Sequence, residues 1–229
     1  MSHLTLTDRD DLHGLADLAG QHRLWLHIDA AYGGFFTMTE RGHRRLAGIE
    51  RSDSLTLDAH KSLFLPYGLG AVLIRNPGCL AAAHTATGSY LRDLDDANQL
   101  PYYLQRGPEN TRPFRGLLAW LPLQLHGTDT FRATLDRMLD LARDAAANLA
   151  HIEGITVLTE PDLSIVAFRA RDDTTTDSIL HALNHSGHVH VSSTTMDGHT
   201  WIRLAFLHPA TTHNHLDLVL TIVTNNIAG

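Results

Sequence analysis

Two charged residues, Asp29 and Lys61, each follow a short apolar run in the first third of the chain. Asp29 ends the run that begins at Leu24, and Lys61 comes shortly after the run 54–57. Short strands with glycine-rich exits are typical of a doubly wound sheet, which presents functional groups at its carboxyl edge. At neighbouring strand ends an amine can bond to an aldehyde, and a carboxylate can keep a pyridine nitrogen protonated. The pair therefore suits pyridoxal phosphate (PLP), whose protonated ring acts as an electron sink.

The residues around both positions resemble the PLP-dependent group II amino-acid decarboxylases, the relatives of the aromatic-amino-acid and glutamate decarboxylases. The two matching motifs are Asp-Ala-Ala-Tyr-Gly-Gly at 29–34 and Asp-Ala-His-Lys at 58–61. Their charged residues are 61 − 29 = 32 positions apart. The two motifs together are a much more specific signal than either motif alone.

The resemblance implies a role for each matched residue. Asp29 would pair with the pyridine nitrogen, Ala31 would pack on the cofactor ring, and Lys61 would carry the internal aldimine. His60 would lie beside that aldimine, near the cofactor face. We therefore expect Lys61 and His60 to be catalytic residues, with Asp29 and Ala31 completing the cofactor-binding set.

A polar stretch between Ala81 and Pro101 contains a third expected catalytic residue. In the resembled family the matching region is a mobile loop with a tyrosine near the substrate, and residues 88–92 resemble its surroundings. The resemblance implies that Tyr90 supplies or directs the proton that completes decarboxylation to an amine. Relatives with phenylalanine there tend to release aldehydes. The alternative is that Tyr90 only anchors the loop.

The hydrophobic pattern predicts the elements that position these groups. Strands are predicted at Leu24–Ala30 and Ser54–Leu57, and a buried strand at Ala71–Ile74 is predicted to return beneath the lysine. A long amphipathic helix is predicted over Phe131–His151, with Thr128 as its N-cap. The catalytic groups are therefore expected to lie at one edge of a sheet.

Strands and helices alternate after the long helix, which is typical of a small α+β domain with an antiparallel sheet and helices on one face. The predicted strands are Ile155–Leu158, Leu163–Ala170, His188–Ser193 and Thr200–Phe206, and the helices are Thr176–His185 and Thr212–Ile227. The resemblance implies an α/β fold of the fold-type-I PLP-dependent transferase-like class. Residues 1–127 would form the C-terminal portion of the PLP-binding large domain, and residues 128–229 the small C-terminal α+β domain.

Composition argues against several other classes of protein. The formal net charge of −7 disfavours nucleic acid or an acidic membrane as the main partner. The single cysteine, Cys79, leaves no disulfide framework, and the first residues lack the pattern of a signal peptide. Because no run of about 18 apolar residues occurs, a membrane span is not expected. A soluble, cytoplasmic protein is the prediction.

Histidines are frequent, and His181 and His185 have the four-residue spacing that can ligate a metal on a helix. No Cys cluster accompanies them, and no third ligand set resembles a catalytic metal site. We therefore expect a solvated histidine-rich surface and no metal.

The predicted function is PLP-dependent decarboxylation of an amino acid to its amine through a Lys61 aldimine. Nothing in the chain matches the N-terminal half of the resembled family, which carries the phosphate-binding segment and a ring-stacking residue. We therefore expect a larger or complemented enzyme, formed by self-association or by a complementing chain that carries this half. The alternatives are another fold-type-I enzyme, such as an aminotransferase or desulfurase, and a catalytically incomplete half-protein.

Overall fold

A computed structural model describes residues 11–84, 103–109 and 111–227 of the chain. Its elements build a three-stranded sheet and a four-stranded sheet. The helices are α1 (Leu12–His22), α2 (Glu40–Arg45), α3 (Gly78–His84), α4 (Arg115–His126), α5 (Thr128–Ala150), α6 (Asp173–His185) and α7 (His213–Ile227). The strands are β1 (His27–Asp29), β2 (Ser54–Asp58), β3 (Gly70–Ile74), β4 (Ile155–Val157), β5 (Ile165–Ala170), β6 (Ser192–Met196) and β7 (His199–Ala205).

The three-stranded sheet carries both sequence motifs. Strands β1 and β2 are parallel, with Asp29 opposite Thr56, and β3 is antiparallel to β2, with Gly70 opposite Asp58. Because parallel strands end at the same edge of a sheet, the residues that follow β1 and β2 lie side by side. The strand predicted at Leu24–Ala30 is shorter in the structure, since only His27–Asp29 is extended.

The prediction of a buried strand at Ala71–Ile74 was right about the strand and wrong about its burial. Strand β3 spans Gly70–Ile74, but Val72 and Leu73 are about half exposed, at 48% and 54%. In the described sheet β3 is an edge strand that pairs with β2 alone. An apolar run indicates that a strand favours burial. Whether the strand is buried depends on what packs against it in the fold.

The four-stranded sheet is antiparallel, as predicted, with the order β4-β5-β7-β6. The strand predicted at His188–Ser193 is displaced, because β6 begins only at Ser192. The Asn184 side chain bonds both backbone groups of Val191, accepting from its N–H at 2.8 Å and donating to its carbonyl at 3.1 Å. These two bonds take the place of strand pairing in the segment before β6.

Helix α5 packs one face against the four-stranded sheet and contributes more residues to the main buried cluster than any other described element. Its fully buried residues recur at helical spacing and include Leu135, Met138, Leu141, Ala142, Ala145 and Leu149. Thr128 is the first helical residue and not the N-cap; Gly127, with a φ of 75°, precedes the helix without a side-chain cap bond. Tyr32 and Phe36, which lie in the segment after β1, belong to the same apolar cluster. The proposed domain boundary after residue 127 remains a prediction.

Candidate active site

Asp29 stands at the carboxyl end of β1 with an exposed carboxylate. One of its oxygens accepts the backbone N–H of Ala31 at 3.1 Å, so the side chain caps the turn that follows the strand. In the part of the chain that the structure describes, no Lys, Arg or His side chain lies within 4.0 Å of this carboxylate. A single exposed anion at a sheet edge can therefore receive a cationic ligand.

The turn after Asp29 connects the two motifs. The backbone N–H of Asp58 donates to the carbonyl of Ala31 at 3.3 Å, and the N–H of Ala30 donates to the carbonyl of Thr56 at 3.1 Å. Ala31 is buried. The motif glycines permit this close packing, since a Cβ on Gly34 would come within 2.2 Å of Leu57. Both motifs therefore meet at one edge of the sheet, as predicted.

Lys61 lies three residues beyond the end of β2. Its Nζ forms an ion pair with Asp58 Oδ2 at 2.8 Å, and 39% of its side chain remains exposed. Lys61 is also the only lysine in the sequence, because the other 18 − 1 = 17 residues of the Lys+Arg total are arginines. The chain thus has one side-chain primary amine, and it lies at the expected sheet edge.

The ring of His60 packs on the exposed ring of Tyr67. The two rings are stacked with centroids 5.1 Å apart and planes inclined by 22°. The Nδ1 atom of His60 is buried and makes no hydrogen bond to any described residue. Its Nε2 lies 4.0 Å from Asp58 Oδ2. A buried ring nitrogen without a partner is a hydrogen-bonding position that a ligand can fill.

Tyr32 joins the site loop to the four-stranded sheet. Its hydroxyl lies 2.8 Å from the Ser164 hydroxyl, across 132 residues of sequence, and both residues are buried. Burial raises the pKa of Tyr32 well above its ordinary value, and the bond with Ser164 and the charge of Arg203 offset only part of this effect. The tyrosine of the Asp-Ala-Ala-Tyr-Gly-Gly motif is therefore a neutral anchor of the loop.

Tyr90, the third expected catalytic residue, lies outside the described residues. Within the described ranges, no group of three or more His, Cys, Asp or Glu side chains could hold a metal ion. His181 and His185 stack on each other with centroids 3.7 Å apart on α6. No helix in the described part of the chain combines the length and apolarity needed to cross a bilayer.

The residues present fit PLP. An exposed carboxylate, a reachable amine and an unpartnered imidazole nitrogen share one sheet edge, and these groups match a pyridinium, an aldehyde and a polar ring substituent. This arrangement suits a class of protein that binds pyridoxal phosphate at the carboxyl edge of a sheet.

Residues 5–171 match the family described as the pyridoxal-dependent decarboxylase conserved domain. The chain belongs to this family, which confirms the resemblance drawn from the two motifs. It is 35% identical to an aromatic-L-amino-acid decarboxylase of Bacillus atrophaeus over 213 residues, which cover 89% of this chain and 44% of that protein. It is 31% identical to an L-2,4-diaminobutyrate decarboxylase of Rhizobium meliloti over 222 residues, covering 93% of this chain and 44% of that protein. The chain thus spans about half the length of the curated relatives it matches.

Solved structures confirm the fold class. The Oryza sativa TDC solved with PLP and tryptamine superposes with a TM-score of 0.87 at 21% identity, covering 96% of this chain and 47% of that chain. Catharanthus roseus tryptophan decarboxylase, solved with L-tryptophan, gives a TM-score of 0.83 at 24% identity, covering 95% of this chain and 46% of that chain. The expected α/β fold, present in part, is therefore correct.

Two features of the site were missed in the sequence. Asp58 was read only as part of a motif, although an acid three residues before a lysine in a turn can reach its amine. The Tyr32–Ser164 bond had no local signal, because its partners are brought together by the packing of the two sheets. The uniqueness of Lys61 was visible in the sequence and strengthens its assignment.

Proposed function

We propose that the chain forms part of a PLP-dependent amino-acid decarboxylase in which Lys61 holds the cofactor aldehyde. The observation that carries the proposal is the junction of the motifs, where Asp58 bonds to Ala31 and the only lysine reaches the edge that Asp29 occupies. When bound, PLP supplies an electron sink for the electrons left by departing carbon dioxide. Membership of the pyridoxal-dependent decarboxylase family supports the same class of reaction.

The chain's own residues have distinct tasks in this proposal. Asp29 keeps the pyridine nitrogen protonated through its negative charge, and Ala31 provides a small apolar surface for the ring. His60 would help to hold the cofactor through a hydrogen bond at its unpartnered Nδ1. Tyr90 delivers or directs the proton to the substrate carbon, a role that rests on the resemblance alone.

In this proposal, the complete active site includes protein beyond this chain. Its length is about half that of the matched relatives, and apolar side chains on β3 and α4 are exposed. We propose that self-association, or a complementing chain that carries the family's N-terminal half, supplies the phosphate-binding segment. The isolated chain should therefore bind PLP weakly, since a phosphate held at a helix N-terminus provides much of the affinity at such sites.

The test is a product assay on the chain alone and with a chain that carries the N-terminal half. Aromatic amino acids, 2,4-diaminobutyrate and acidic amino acids form the substrate panel, and Lys61→Ala is the control. Release of amine and carbon dioxide by the completed protein, and not by Lys61→Ala, supports the proposal. A keto acid product would favour an aminotransferase. Tight PLP binding with full activity of the chain alone would refute the need for complementation.

Aldehyde formation is a second candidate outcome. The chain is 27% identical to a phenylacetaldehyde synthase of Petunia hybrida over an alignment of 233 positions, which covers 95% of this chain and 46% of that protein. Aldehyde, ammonia and peroxide should therefore be measured beside the amine. The presence of tyrosine at position 90 favours the amine.

A further inference from the structure

Asp58 is the carboxylate nearest to the amine of Lys61. The ion pair between Oδ2 and Nζ is 2.8 Å long, and only 21% of the Asp58 side chain is exposed. Among the described residues no other carboxylate lies within 4.0 Å of this amine. His60 is the other basic group near the same oxygen, with its Nε2 at 4.0 Å.

The backbone around Asp58 fixes the direction of its carboxylate. Its N–H donates to Ala31, and its carbonyl accepts the N–H of Lys61 at 3.0 Å, which closes the turn between acid and lysine. The residue opposite on β3 is Gly70, where an added Cβ would come within 3.1 Å of Asp58 Oδ1. The carboxylate therefore lies in a space left by a glycine and faces the lysine.

We propose that Asp58 is a positioning residue that holds the amine of the free Lys61 side chain in an ion pair at the edge of the site. The paired amine has to leave the carboxylate before its nitrogen can attack an aldehyde, so the ion pair lowers the reactivity of the free lysine. When Lys61 does react, the amine gives up its extra proton, its nitrogen bonds to the aldehyde carbon, and the two remaining hydrogens on nitrogen leave with the carbonyl oxygen as water. No electrons are gained or lost.

The consequence concerns competition between two amines. A substrate amine and Lys61 compete for one aldehyde carbon, and a released lysine that is held in the ion pair with Asp58 competes poorly. Ion pairs of this exposure shift such equilibria by about 1.5- to 5-fold. The inference rests on the proposed function, because it assigns Asp58 to the lysine of that site.

The first experiment measures the rate at which borohydride traps PLP on Lys61 at pH 7, by mass spectrometry of the intact chain. Because Lys61 is the only lysine, every pyridoxyl group on a side-chain amine lies there, and the chain's α-amino group is an internal reference. The nearly isosteric variant Asp58→Asn should have a trapping rate about 1.5- to 5-fold higher than the unmodified chain. The trapping rate of Asp58→Glu should stay close to that of the unmodified chain. Asp17→Asn removes the same charge from an ion pair with Arg51 and should change nothing.

The second experiment does not need the cofactor. Lysine labelled with ¹⁵N gives a single side-chain NMR signal, which should shift in Asp58→Asn and stay in place in Asp17→Asn. An unchanged signal together with an unchanged or slower trapping rate in Asp58→Asn would overturn the role of Asp58. If Lys61 traps PLP no faster than the α-amino group in every variant, the proposed function fails instead, while the NMR signal still tests the ion pair.

Discussion

Lys61 is the only side-chain primary amine in the chain, so covalent chemistry between an aldehyde and a side-chain nitrogen has one possible location. Around it the structure gathers a carboxylate that binds the amine, Asp58, and a carboxylate without a cationic partner among the described residues, Asp29. These two acids have the same chemistry and different neighbours. In our proposals these different neighbours suit Asp58 to a positioning role and leave Asp29 available to a cationic ring.

Tyr32→Phe should destabilise the fold, because the buried Ser164 hydroxyl loses its 2.8 Å partner. We expect a loss of about 1–3 kcal/mol in the free energy of unfolding at pH 7, the usual cost of leaving a buried polar group unpaired. Denaturant unfolding followed by circular dichroism measures it. Ser164→Ala combined with Tyr32→Phe should cost less than the sum of the two single changes.

The same tyrosine predicts a pH dependence. Because burial raises the pKa of Tyr32 in the folded state, its contribution to stability is complete below the unfolded pKa of about 10 and is lost as the pH rises above it. The stability difference between the unmodified chain and Tyr32→Phe should therefore narrow above pH 10. A constant difference from pH 8 to pH 11 would contradict the burial of a neutral hydroxyl.

Tyr90→Phe should change the product ratio of the completed enzyme. A positioned phenol acting as a general acid is worth about 10²–10⁴-fold in rate. We expect the amine yield to fall while aldehyde, ammonia and peroxide rise, with trapping of PLP on Lys61 unchanged. Amine and peroxide are measured side by side in both variants. A common decrease of all products at an unchanged ratio would mean that Tyr90 only anchors its loop.

At the scale of elements, helix α5 connects the site to the core. One face packs on β5, and the other side binds α2 through Arg41, which bonds Asp136 at 3.0 Å and Asp140 at 2.8 Å. The segment that follows β1 contributes Tyr32 and Phe36 to the same core. The loop that carries Asp29 and Ala31 therefore rests on a helix that lies nearly a hundred residues further along the chain.

Leu135→Ala should test this support. Leu135 is fully buried, and removing its side chain should cost about 2–5 kcal/mol in the free energy of unfolding. Leu125→Ala in α4, where 69% of the residue is exposed, is the matched control and should cost less than about 0.5 kcal/mol. Thermal or urea unfolding measures the loss of stability in both variants. Equal losses in the free energy of unfolding would argue against the described core.

At the scale of the whole molecule, the two sheets differ in how they are covered. The four-stranded sheet and the helices packed on it together contain most of the fully buried side chains. The three-stranded sheet exposes Val72 and Leu73, and α4 exposes Trp120 and Leu125. Exposed apolar residues in such numbers usually mark a surface that binds other protein.

Leu73→Thr combined with Trp120→Thr should weaken self-association without weakening the fold. Both side chains are more than half exposed, so the free energy of unfolding should change by less than about 0.5 kcal/mol per site. Sedimentation velocity over a range of concentrations should show a shift towards the monomer. The exposed polar change Thr221→Ser serves as the control, and unchanged association of the double variant would remove these surfaces from the interface.

Local patterns in the sequence were sufficient for much of the fold and of the site. The 3.6-residue period indicated α5, alternation and turn residues indicated β5 and β7, and two short motifs identified Asp29, Ala31, His60 and Lys61. These features depend on residues a few positions apart in the chain, so they can be predicted from the sequence alone. The family match and the shared sheet edge agree with that analysis.

Only the tertiary structure decided which groups meet over long distances. The bond between Tyr32 and Ser164, the exposure of β3 and the displacement of β6 by Asn184 depend on packing between distant segments, which no local period encodes. The ion pair of Asp58 with Lys61 depends on the shape of the turn that joins the two residues. The sequence by itself indicated which residues are candidates for the chemistry. Their partners followed from the fold, because hydrogen bonds and ion pairs require atoms within about 3–4 Å, whatever their separation in the chain.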